Sequence, residues 1–210
     1  MLIGALAVPV IALLAATAPG PGPLSWHMGF HIASMNIGAP LAAVALVRYA
    51  ARWRAWSSAG ALWLATFAQL GVLWIAHSPH VHHHLQASLM TALALQVVLF
   101  LAALAFWTVV VGATHHRWQA MLALLVSGKF ACLLGVLLIF APRALFDVHA
   151  AHAMSAPDSA LLADQHLAGL LMISACPLSY VLTAVVLAAQ TVTSLERPRA
   201  ITLPRAAVEP

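Results

Sequence analysis

Two histidines one helical turn apart open a long apolar stretch in the run His27-Met28-Gly29-Phe30-His31. On a helix, residues four apart share a face, with Cβ atoms about 5–6 Å apart, so both imidazoles can reach one metal ion. Met35 continues the same stripe. Imidazole with thioether suits copper, and thioether suits Cu(I) in particular. A second group is denser: His77-Ser78-Pro79-His80 and then His82-His83-His84. Clustered histidine is a metal-binding composition. His77 falls at an expected helix end, which would fix its position, and His83 or His84 leads into the next helix. His80 and His82 read as solvated. Headgroup-level imidazoles and packed methionines are the alternative reading of the first group, and a solvated turn whose histidines bind adventitious metal is that of the second.

A third group begins at Asp164-Gln165-His166 and runs through Gly169 to Met172 and Cys176. A carboxylate at a helix start caps free N–H groups and meets the positive end of the helix dipole. Asp164 has that role open to it. It can also ligate a metal, or orient a ligating histidine through its second ring nitrogen. Met172 and Cys176 share its face, and either pack or extend a line of soft donors inward. Gly169 offers a small surface for close helix approach.

These residues need a scaffold, and composition says which kind. The chain of 210 residues is 63% hydrophobic and 7% charged, with mean hydropathy +0.97. A soluble domain carries roughly 25% charged residues, so lipid must be the solvent here. Six apolar stretches approach the ~20 residues that a membrane-crossing helix needs: 2–18, 27–47, 56–76, 84–111, 120–140 and 164–190. In lipid, single spans must be helices. The expected fold is therefore an all-α polytopic transmembrane bundle of about six spans. One domain covers 1–195, and 196–210 forms a short tail. The first stretch is read as a retained helix rather than a signal peptide. No Lys or Arg precedes it, and Pro19 would follow the Ala16-Thr17-Ala18 cleavage-like site.

Orientation follows from the basic residues of the short loops. Arg48, Arg52, Arg54, Arg117, Arg197, Arg199 and Arg205 mark one side as cytoplasmic, with both termini there. Every histidine except His115 and His116 then falls at the opposite, outer rim. Because the sidedness is read from Lys and Arg alone, the histidine clustering is an independent observation. The expected setting is a bacterial-type plasma membrane.

Lys129 stands near the middle of the fifth span, where an ionisable residue is a functional candidate. Gln69 and Gln96 are the nearest partners by depth, and snorkelling toward the cytoplasm is the other reading. Trp26, Trp53, Trp56 and Trp118 form interfacial belts. Cys132 and Cys176 lie inside apolar stretches and form no CxxC pair. Phosphate loop, nucleophile elbow, paired catalytic carboxylates and CxxCH haem attachment are all missing. The basic residues read as topology signals, not as a nucleic-acid surface.

Taken in order, His27-Met28-x-x-His31 with Pro40-Leu41, His77-x-Pro79, and Asp164-Gln165 with Gly169 and Met172 resemble the CtaG family of membrane assembly factors for cytochrome c oxidase. The likeness runs from about Trp26 to Gln190. It implies a polytopic protein needed to form active haem-copper oxidase, with a part in copper delivery. Two departures stand out. The family usually has about seven spans, and Ile173 replaces the Trp that usually follows Met172.

The resulting expectation is a copper-handling assembly factor, not an enzyme. It would hold copper, as Cu(I), through His27, His31, His77 and His84, with Asp164 a ligand or an orienting group. Its partners would be membrane lipid and cytochrome c oxidase subunits or another copper protein. An integral haem-binding electron carrier and a metal-free structural subunit of an oxidase are the competing expectations.

Overall fold

The computed structural model describes residues 22–49, 58–79, 81, 88–146 and 158–196. The expected span over 2–18 lies outside them, as do His80, His82, His83 and His84. The described residues are helical, with no strand among them. Five helices are long and apolar enough to cross a membrane: α1 Pro23–Tyr49, α2 Ala59–Ala76, α3 Leu89–Gly112, α4 Arg117–Phe140 and α5 Asp158–Glu196. They match the five expected spans that fall within the described residues. The largest difference is α5, which starts six residues before Asp164. At 1.5 Å per residue its 39 residues exceed a hydrocarbon core of about 30 Å, so the helix projects beyond it.

Large apolar side chains point outward, among them Leu64, Phe67, Ile75, Leu101, Leu137 and Val185. Small and polar residues line the interior, including Ala39, Ala43, Ala123, Thr66, Gln69, Ser127 and Gln165. Lipid-facing bulk around small-residue contacts is what membrane helices need, because close backbone approach supplies the packing that the hydrophobic effect cannot. The extensive α4–α5 contact shows it best. A Cβ on Gly135 would lie 2.9 Å from the carbonyl oxygen of Gly169, and one on Gly169 would lie 2.8 Å from that of Gly135. Neither backbone leaves room for a side chain on the other.

Proline shapes two helices at functional depth. In α1, Ser34–Gly38 forms a π-helical turn, closed by Ala39 N–H donating to Ser34 O. In that register the next bond would run from residue 40 to Met35 O, and Pro40 has no N–H to give. The Trp107 indole N–H takes its place, 3.1 Å from Met35 O. Trp107 is itself buried and stacks on Tyr180, with ring centroids 5.4 Å apart. Trp107→Phe keeps the stack and orphans a buried carbonyl, which costs about 1–3 kcal/mol. A lower unfolding midpoint on detergent titration would show this; an unchanged midpoint would mean the bond does not hold the turn. In α5, Pro177 removes the bond to Ile173 O, and the Cys132 thiol lies 4.0 Å from that oxygen.

Candidate metal centre

The start of α1, the end of α2 and the first turns of α5 meet at one end of the bundle. His31 brings the histidines together. Its ring stacks on His27 at 5.9 Å between centroids and meets the His77 ring edge-on at 5.1 Å. His31 and His77 are buried, at 2% and 4% exposure, and His27 is half-buried. His77 is the C-cap of α2, fixed in place as its sequence position suggested.

Hydrogen bonding sets which ring nitrogen carries the proton. His77 Nδ1 lies 2.8 Å from Leu73 O, a carbonyl that can only accept. Nδ1 therefore carries the hydrogen, and Nε2 presents a lone pair. At His31, Nδ1 lies 3.2 Å from Gln96 Oε1. The amide orientation is fixed in turn: Gln96 Nε2 donates to Ser34 Oγ at 2.8 Å, while Ser34 donates to His31 O at 2.9 Å. Oε1 is thus the atom facing the ring, and His31 Nδ1 donates to it. Both Nε2 atoms are buried and have no hydrogen-bond partner. Buried polar atoms are rarely left so.

An N–H donated to a carbonyl from the far side of the ring is also how a protein prepares an imidazole for a metal. Gln96, held by Ser34, and the Leu73 carbonyl supply bonds of that kind here. Only Gln96 had left a trace in the sequence, as a polar residue at membrane depth. Among the described residues, no group of three or more His, Cys, Asp or Glu converges to hold a metal ion. The arrangement is a pair of nitrogen donors with His27 beside it, and two donors are a set that Cu(I) accepts.

Burial holds the His77 imidazole below its ordinary 6.5, at about 4; the Leu73 bond opposes this and the neighbouring His27 adds to it. The folded value lies below the unfolded one. Its contribution to stability is complete above about 6.5 and is lost as pH falls toward about 4. The melting temperature of the metal-free protein should decline through that window, and more weakly in His77→Gln. Equal slopes in the two proteins would place the titrating group elsewhere.

Asp164 sits beside this pair in a different role from a cap on its own helix. Its carboxylate accepts from Leu24 N at 2.9 Å, from Ser25 N at 3.1 Å and from the Ser25 hydroxyl. It caps α1 from across the bundle, where the N-cap residue Gly22 has no side chain to do so. A side chain at position 22 would collide with the carboxylate. Gln165 does the reverse at the end of α4: Nε2 donates to Leu138 O at 3.0 Å and Arg143 O at 3.3 Å, and Oε1 accepts from Leu145 N at 2.6 Å.

Lys129 lies exposed on α4. The glutamines at its expected depth are engaged elsewhere, Gln96 as above and Gln69 with the Tyr180 hydroxyl at 2.6 Å. His115 and His116 stand at the opposite end of the bundle, just before α4.

A helical bundle with lipid-facing apolar sides and a buried imidazole pair at one end is a multi-pass membrane protein with a built polar centre. The chain belongs to the family of cytochrome c oxidase caa3 assembly factors (Caa3_CtaG), whose family model matches residues 2–194. No curated protein and no solved structure matches it. The resemblance carried by the histidine and Asp164-Gln165 motifs is thereby borne out.

Proposed function

We propose that this assembly factor handles Cu(I) during cytochrome c oxidase maturation, holding the ion as cargo between Nε2 of His31 and Nε2 of His77. The observation that carries this reading is the pair of buried, unpartnered lone pairs, each aimed by a carbonyl-bound Nδ1–H. Imidazole suits copper, and Cu(I) needs few donors. Neutral rings bind a cation without first losing a proton. His27 lies close enough to join as a third donor, and His84 is the further candidate from the sequence. Asp164 acts by holding α1, and therefore His27 and His31, at the right depth.

No bond-making chemistry is required of these residues, so the protein is a carrier and not an enzyme. Its partners are lipid and, for delivery, an oxidase subunit or another copper protein. The histidine end faces outward across a bacterial-type plasma membrane, with both termini cytoplasmic. A haem carrier fits less well. Rings 5.1 Å apart leave no space for a macrocycle between them, and the cavity beside His31 has room for about one water-sized sphere.

The test is metal analysis of untagged protein, purified in detergent under reducing conditions and incubated with a Cu(I) salt. Near-stoichiometric copper supports the reading. Folded protein that takes up none overturns it in favour of a metal-free scaffold.

A further inference from the structure

That small cavity lies deeper in the bundle than the histidine pair. Its lining includes His31, Met35, Met172, Cys176 and Tyr180. Met35 comes from the π-helical turn of α1, and Met172 and Cys176 are one turn apart on α5, just before the Pro177 irregularity. All three sulfur-bearing residues are buried, and Cys176 is in no disulfide. Methionine often fills irregular gaps in cores. Packing alone leaves two things unexplained: a void remains beside two methionines, and it is bordered by an imidazole whose buried Nε2 has no partner.

We propose that this cavity is a second Cu(I) site, formed by the thioethers of Met35 and Met172 and the sulfur of Cys176, with His31 at its rim. It rests on the copper reading above and extends it inward. Two thioethers and a thiolate are a soft set that prefers Cu(I). Loading exchanges one cation for another: the Cys176 thiol releases its proton to water at the histidine end as the Cu–S bond forms. The net charge of the buried site is then unchanged, which suits an apolar interior. His31 Nε2 has one lone pair, so it serves one site at a time. It can bind the ion with His77 or hand it to the sulfurs, and the two sites become successive stations for one ion.

Copper K-edge X-ray absorption on the full-length chain in detergent tests this, with tetrakis(acetonitrile)copper(I) as the metal source. Wild type is expected to show a Cu–S shell together with Cu–N scattering. Met172→Leu/Cys176→Ser, which nearly conserves volume, should lose the Cu–S shell and keep copper on nitrogen. His77→Ala should keep the Cu–S shell. Wild-type copper bound through nitrogen and oxygen alone overturns the inner site and leaves the histidine site standing. Undiminished Cu–N scattering in His77→Ala, with sulfur still bound, sinks the His31–His77 reading and leaves the inner site standing. No copper on folded wild type overturns both. The wild-type spectrum decides the proposal even if the double variant does not fold.

Discussion

His31→Ala is expected to abolish retention of Cu(I) against a competing chelator, the largest functional effect of any single substitution in this chain. His31 contacts both His27 and His77 and also borders the sulfur-lined cavity. Removing it breaks the pair and takes away the imidazole at the edge of the cavity. Removing a group that only orients a ligand costs about 10- to 100-fold in metal affinity, and loss of the ligand itself should exceed that. Gln96→Leu provides the comparison, because it frees the His31 ring to rotate or change tautomer while leaving Nε2 in place. The expected order of affinity is wild type, then Gln96→Leu, then His77→Ala, with His31→Ala weakest. Competition titrations with a chromogenic Cu(I) chelator measure all four. An affinity for His31→Ala equal to that of Gln96→Leu would mean that His31 is not a ligand.

Asp164→Ala should give the largest loss of stability, about 3–5 kcal/mol. The residue accepts three hydrogen bonds from the first turn of α1, and bonds to a charged group contribute about 1.5–3 kcal/mol each. Some water will reach the rim and recover part of the loss. Measured against a typical total of about 5–15 kcal/mol, this is enough to leave much of the protein misassembled. Asp164→Asn keeps an acceptor oxygen and should fall by less than half as much, with its copper content unchanged. Reversible unfolding in mixed detergent micelles gives the stabilities, and metal analysis gives the second readout. An Asn variant that is stable but copper-free would make the carboxylate a ligand after all.

The spans were legible because membrane helices announce themselves one at a time, by length and hydropathy. The same holds for the shared end of the motifs: alternating spans force the starts of α1 and α5 and the end of α2 together, and the ring contacts of His31 and the bonds of Asp164 place them there. What one helix does to another was not legible. A carboxylate near a helix start reads as that helix's own cap, and nothing in the sequence shows it reaching across to Leu24 and Ser25. Gln96 could be seen at membrane depth, and its Oε1 on His31 could not. The π-helical turn had only Pro40 as its sign. Lys129 kept both readings open because depth along a helix says nothing about which face it occupies. His84, read as a ligand candidate, falls outside the described residues.

The cap on α1 has a consequence for biosynthesis. Leu24 and Ser25 precede Asp164 by 140 and 139 residues. When α1 first enters the bilayer, the partner for its leading N–H groups has not yet been translated. The entry turn must keep to the wet interface until α5 arrives, and only then can His27 and His31 settle beside His77. Assembly of the histidine end thus becomes a late event in the life of the nascent chain. A polypeptide truncated before α5 would insert most of its helices and still leave the entry turn of α1 uncapped.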